Sequence, residues 1–147
     1  MEMSTTDTSS VERNKAAMRD MVRYNDARDF FAYVDQVSEN FVGHHHLIPD
    51  GLHGNQALSG FFYATEAIAF PNGYHVIHHL FGEGDFVTLN LSLYGTFTGP
   101  LPDGTQPNGK EIEFRYNILC RFEDEKLAEA WWFCYDAHLL MQNLGMI

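Results

Sequence analysis

Apolar and polar positions follow one period in the first half of this chain and another in the second. From Ser10 onward Met18, Met21 and Val22 recur on a helical stripe with charges between them. The run Asn25-Asp26-Ala27-Arg28-Asp29 breaks that stripe, and Asp26 or Asp29 suits the cap of a second helix. That helix carries Phe30, Val34 and Val37 and is expected to end near Asn40. Phe41 to Leu47 reads as a short strand and Pro49-Asp50-Gly51 as a turn. Gly54 introduces a third helix over 55–69, whose stripe is Leu58, Phe61, Phe62, Thr65 and Ile68. After Pro71-Asn72-Gly73 the period drops from about 3.6 to 2. Strands are expected at 74–82, 85–97, 110–122 and 126–136, with a long surface loop at 98–109 and a short closing helix at 137–144. In the second strand Val87, Leu89, Leu91 and Leu93 alternate with Thr88, Asn90, Ser92 and Tyr94. Helices first and an antiparallel run afterwards is an α+β order. No repeat or second composition zone is present, so one domain is expected over 10–147 behind a Ser/Thr-rich tail, 1–9, that frays.

The chain has 147 residues, enough to bury a core without staples. Twenty acidic against nine basic residues give a net charge of −11, which repels phosphate backbones and anionic lipid. Neither nucleic acid nor a membrane is therefore an expected partner. No apolar run approaches the roughly 20 residues of a membrane span, and the polar opening lacks a signal-peptide core. A cytoplasmic location is expected. Cys120 and Cys134 flank the turn Glu123-Asp124-Glu125 at positions far apart along the hairpin, so they are expected as free thiols. Serine and cysteine nucleophile motifs, phosphate loops and zinc-finger spacings are absent, and no cofactor is expected.

Several short pieces together resemble the SnoaL-like polyketide cyclases of the nuclear transport factor 2-like superfamily. They are Phe41-Val42-Gly43-His44, Gly51-Leu52-His53-Gly54, Gly82-Glu83-Gly84-Asp85-Phe86-Val87, Gly95-Thr96-Phe97-Thr98-Gly99 and Asn108-Gly109-Lys110. Arg121 to Glu129 follows, then Asp136 and Leu139 to Gly145, so the likeness covers about residues 14 to 145. The resemblance implies a cone-shaped α+β barrel, with three N-terminal helices packed on a curved, mainly antiparallel sheet. It also implies a deep pocket for a hydrophobic small molecule and a homodimer through the sheet. Family members carry a catalytic aspartate in the last strand, shortly after a tryptophan. The matching positions here are Trp132 or Phe133, because one extra residue precedes Asp136. Phe97 replaces a histidine common in its turn, and joins the expected pocket lining.

The candidate chemistry lies in two places. In a strand His44 and His46 share a face while His45 points away, toward solvent or an interface. His44 occupies a position where the family often has histidine, and the pair is expected at the pocket mouth as acid–base groups. The plainer account of His44 is a core histidine bonded to a carbonyl. A metal held by His44, His46 and one of His75, His78 or His79 is the weaker reading, since no carboxylate stands at a metal-motif spacing. No metal is assigned. In the last hairpin, a turn centred between 124 and 125 sets Asn117 opposite Trp132 and Tyr116 opposite Phe133. Glu129 then shares an aromatic face with Tyr116, Trp131 and Phe133. Desolvation there would raise its pKa toward neutrality, whereas a solvated position at the strand start is the plainer expectation. A bulge from the extra residue would flip one side of this pairing. Tyr116, Asn117, Trp131, Trp132 and Phe133 are expected to line the pocket. Asp136 is expected to orient a histidine or, more simply, to cap the last helix.

These residues point to cofactor-independent acid/base chemistry, such as cyclisation, isomerisation, dehydration or epoxide opening. The substrate expected from the resemblance is hydrophobic, of polyketide or terpenoid type. The alternative is a non-catalytic ligand-binding or dimerisation domain that has lost the family aspartate.

Overall fold

A computed structural model describes residues 5–147. Helices α1 (Thr5–Asp26) and α2 (Phe30–Asp35) lead into strands β1 (Val37–His45) and β2 (Ile48–His53). Helix α3 (Asn55–Phe62) runs directly into a π-helical turn, Tyr63–Ala67. Strands β3 (Tyr74–Glu83), β4 (Phe86–Thr96), β5 (Glu111–Glu123) and β6 (Lys126–Phe133) follow, and α4 (Ala137–Asn143) closes the chain. Of the expected tail, Thr5–Ser9 forms the start of α1, and residues 1–4 lie outside the described residues.

The six strands form one curved sheet in the order β2-β1-β6-β5-β4-β3. Among the described strands only the β1–β6 contact is parallel. Alternation in β4 works as the sequence implies: Val87, Leu89, Leu91 and Leu93 are all buried on the inner face. Helix α1 lays Met18 and Met21 against β3 and β4. Helices α2 and α3 cover the other end, where Tyr33 meets Phe62 edge-on at 5.6 Å. The result is the expected α+β layer of helices on a sheet. No helix among the described residues is long and apolar enough to cross a membrane.

The differences from the sequence reading are local, and each has a physical cause. Helix α2 ends at Asp35, not near Asn40, because β-branched Val37 is taken into the sheet, where it pairs with Leu127 and is 1% exposed. Pro49-Asp50-Gly51 is not a turn between elements but part of β2. Gly51 there has φ +79°, and a Cβ on it would come 2.9 Å from the Gly43 carbonyl oxygen. The last strand stops at Phe133 rather than 136.

The third helix departs most. Past Phe62 the chain adds a residue to its turn, closing an Ile68 N–H to Tyr63 C=O bond of 3.1 Å. Each residue of such a turn advances by less than the roughly 100° of an α-helix. The apolar stripe therefore rotates: Ile68 swings out to 37% exposure and Glu66 swings in to 6%. The loop after β4 braces this turn, since the N–H groups of Thr98 and Gly99 both donate to Ala69 C=O, at 3.0 and 3.2 Å. A Cβ on Gly99 would stand 1.9 Å from the Ile68 carbonyl oxygen, so backbone must move to admit it. Gly99→Ala is expected to cost about 2 kcal/mol or more in urea unfolding, at the overpacking level. A loss under about 0.5 kcal/mol would mean that the brace yields freely.

Candidate active site

Between the helices and the sheet lies a cavity of about 400 Å³. Its helix wall is Phe61, Phe62, Thr65 and Glu66, and its sheet wall includes Phe114, Tyr116 and Trp132. Leu140 and Met141 of α4 face it, together with His45 and His46 from the end of β1. The walls are almost wholly apolar, so each polar group in them carries weight.

Glu66 is the group that sequence reading missed. Its side chain is 8% exposed and belongs to a connected polar cluster. Asn25 Nδ2 donates to Glu66 Oε1 at 2.9 Å, and His75 Nε2 lies 3.2 Å from Glu66 Oε2. The other ring nitrogen of His75, Nδ1, is 2.6 Å from Asp26 Oδ1, while the His75 backbone N–H donates to Asp26 Oδ2 at 3.0 Å. Two carboxylates facing two ring nitrogens require both nitrogens to be donors, hence an imidazolium. Burial alone pulls the His75 pKa down, but Glu66 and Asp26 outweigh it and raise it to about 10. A signal for Glu66 exists in the sequence: it is the only Asp, Glu, Lys or Arg between Asp50 and Glu83. Regular helical periodicity sets it on the flank of the stripe, and the π-helical turn brings it inside.

Tyr116 stands 3% exposed in the opposite wall. Burial, then Glu66, raises its phenol well above the usual range, so it remains a neutral O–H donor. His45 stacks on His46 at 4.5 Å and packs against Phe61 at 5.0 Å. Burial, with a smaller effect from His46, lowers its pKa to about 4. Leu47 N–H donates to His45 Nδ1 at 3.1 Å, which leaves Nε2–H as the donor of a neutral ring.

The expected face of the three histidines is thus corrected. Two-residue alternation from the buried Phe41 and Gly43 points His45 inward and His44 to the outer sheet face, and His46, in the turn where β1 has ended, lies beside His45 at the cavity instead of sharing a face with His44. His44 stacks on Trp131 at 5.3 Å and pairs with Glu129 at 2.7 Å, away from the cavity. Since His44 and His46 diverge, they do not share a metal. His78 bonds Ser92 Oγ at 2.9 Å and His79 stacks on Phe81. Among the described residues no group of three His, Cys, Asp or Glu side chains is placed to hold a metal.

The hairpin is corrected in the same way. Pairing runs Glu123↔Lys126 and Phe122↔Leu127, then slips so that Arg121 faces Glu129. The extra residue is Ala128, close to the tip rather than close to Asp136. Every later residue of β6 changes partner and face. Trp132, opposite Ile118, joins Tyr116 on the inner face, while Trp131 and Phe133 lie outside with Asn117. Glu129 sits on that outer face between His44 and Arg121. The His44 hydrogen bond foremost, opposed next by burial and supported by Arg121, holds its pKa below the usual value. The raised carboxyl reading does not apply. Phe97 is fully buried against Phe70 at 5.6 Å, a core residue rather than pocket lining. Asp136 occupies the N-cap position of α4 without a side-chain cap bond, and its carboxylate lies 3.7 Å from the Cys134 thiol. Cys120 is buried opposite Ala130. Of the residues expected at the pocket, His46, Tyr116 and Trp132 are there.

The fold has many relatives of known structure. AclR from Streptomyces galilaeus, a candidate hydroxylase, aligns with a TM-score of 0.79 at 21% identity, over 93% of this chain and 98% of its own. A candidate SnoaL-like polyketide cyclase from Jannaschia sp. CCS1 gives 0.76 at 18%, over 96% and 95%. A candidate polyketide cyclase from Bacillus cereus gives 0.70 at 28%, over 89% and 79%. Curated protein sequences give no match. The family described as SnoaL-like polyketide cyclase matches residues 13–143, nearly the whole of the domain that the sheet and helices build. The chain belongs to the SnoaL-like polyketide cyclase family.

Proposed function

We propose that this protein catalyses cofactor-independent acid/base chemistry on a hydrophobic substrate of polyketide or terpenoid type. Cyclisation, isomerisation, dehydration and epoxide opening all share the step in question, the movement of a proton at carbon or oxygen. The observation that carries the reading is a buried carboxylate, Glu66, facing an apolar cavity of about 400 Å³. The last strand presents indole and phenyl rings, Trp132 and Phe133, where the family resemblance implies an aspartate. Glu66 supplies a carboxylate from the opposite wall. In this scheme Glu66 takes and returns the proton, and the neutral Tyr116 phenol donates a hydrogen bond to the oxygen on which charge develops. His75 is a positioning residue that fixes the Glu66 carboxylate through Nε2. Apolar walls hold the substrate in a reactive shape.

The test is hydrogen–deuterium exchange at the acidic C–H of a panel of aryl diketones in D₂O, followed by mass spectrometry. Glu66→Gln is expected to slow exchange about a hundredfold, the size of a general-base contribution. His44→Ala, on the outer face, should stay within about threefold. No exchange above buffer across the panel would favour the binding-domain alternative. A Glu66→Gln rate within threefold of wild type would remove Glu66 from the chemistry.

We propose also a homodimer through the outer sheet face, where Phe81, Phe133 and Tyr135 are 63%, 54% and 70% exposed. Sedimentation that shows only monomer at micromolar concentration would remove it.

A further inference from the structure

The charge of the cavity restricts its ligand as much as its shape does, and this inference rests on reading the cavity as the substrate site. Among the described residues no lysine or arginine lines it. One imidazolium, His75, is shared by two carboxylates, so the Asp26–His75–Glu66 cluster keeps one surplus negative charge. Asp26 is occupied on both oxygens, by the ring Nδ1–H at 2.6 Å and the backbone N–H at 3.0 Å. Glu66, the member that faces the cavity, has only the Asn25 amide at 2.9 Å and the longer His75 contact at 3.2 Å. A carboxylate has about four lone-pair sites, so capacity remains for a donor arriving from inside. Arg28 does not compensate: its guanidinium donates to the carbonyls of Asn25 and Phe70, at 3.3 and 2.9 Å, and is absent from the cavity wall. At the rim Asp103 adds another anion, held below the usual carboxylate range by the Thr105 backbone N–H.

The geometry points to a ligand that is apolar along most of its length and ends in a hydrogen-bond donor, a hydroxyl or a protonated amine, directed at Glu66. A ligand ending in a carboxylate is excluded. Such an end would bring a second anion beside Glu66 inside apolar walls, where like charges repel more strongly than in water. A hydroxyl gains a charge-assisted bond to Glu66. An ammonium gains the same bond and the faces of nearby aromatic rings such as Phe62 and Tyr116.

The test compares decanol, decylamine and decanoate, three chains of equal length with different ends, at neutral pH. Trp131→Phe leaves Trp132, in the cavity wall, as the sole tryptophan, and its fluorescence reports binding. Decanol or decylamine is expected to bind at least about tenfold more tightly than decanoate. In Glu66→Gln that gap should shrink about tenfold, chiefly through better decanoate binding. A tighter amine identifies an ammonium ligand, and an alcohol equal to or tighter than the amine identifies a hydroxyl. Decanoate binding as tightly as both in the unmutated site would overturn the inference whether or not Glu66→Gln folds. An unchanged gap in a folded Glu66→Gln would do so as well. Exchange chemistry that persists without this discrimination sinks the inference alone. Discrimination without exchange sinks the catalytic reading alone.

Discussion

Replacing His75 by leucine is expected to lower the unfolding free energy by about 3–5 kcal/mol, read from urea denaturation at neutral pH. The ring is 2% exposed and stands between the carboxylates of Asp26 and Glu66. Removing it deletes the only positive charge in the cluster and leaves two carboxylates facing each other across an apolar gap. Asp26 Oδ1 loses its donor, the ring Nδ1–H, while Oδ2 keeps the backbone N–H of residue 75. The cost is mainly that of stranded charge, not of the lost contacts. The effects should therefore be strongly non-additive. Adding Glu66→Gln to His75→Leu removes one stranded charge and should return a substantial part of the loss, although Glu66→Gln alone is destabilising. A His75→Leu loss below about 1 kcal/mol would show that the cluster is hydrated and that Glu66 is not held by the imidazolium.

The same cluster shows what a sequence can and cannot disclose. Order and period were sufficient for the α+β architecture, because the alternating Val87, Leu89, Leu91 and Leu93 of β4 are all buried, whereas Thr88 and Asn90 between them are partly exposed. They did not decide which hairpin face lines the cavity: Tyr116 and Trp132 fall on opposite faces in the sequence reading, and only the bulge at Ala128 brings them together. What stayed hidden depends on three single-residue irregularities. The π-helical turn at Tyr63–Ala67 rotates Glu66 inward, the irregularity at the end of β1 brings His46 to the side of His45 and away from His44, and the bulge at Ala128 carries Glu129 to the outer face. One inserted residue reverses a strand's faces, yet its position is set by partners distant in the chain. The parallel pairing of Gly43 with Ala130 is such a partner, between elements more than eighty residues apart, and no local pattern records it. Glu66 was nonetheless detectable by a different question, namely which charge stands alone in an apolar stretch. Glu66 is that residue, the only one of its kind between Asp50 and Glu83.

Stability is expected to peak near pH 6.5 and to fall on both sides, through two histidines displaced in opposite directions. His75 has its pKa raised from 6.5 to about 10. Below pH 6.5 both the folded and unfolded chains hold its proton, and its stabilising contribution is complete. Between 6.5 and 10 the unfolded chain has released that proton while the folded chain retains it. Unfolding then loses a proton, and stability falls by up to about 1.4 kcal/mol per pH unit. His45 is lowered from 6.5 to about 4, so there the unfolded chain binds the extra proton and stability falls as the pH drops below 6.5. Its ring is partly open to solvent, which makes this acid limb the shallower one. Near pH 9 the buried Cys120 thiol adds a second alkaline loss, because folding holds it protonated after the unfolded thiol ionises. The diagnostic window for His75 therefore runs from about pH 6.5 to 8.5. Urea midpoints measured across that window should decline in the wild type and remain level in His75→Gln. The acid limb should survive that substitution and disappear in His45→Gln. A wild-type midpoint that does not move between those two pH values would mean that His75 is neutral in the folded protein, and that Glu66 meets the cavity without an imidazolium behind it.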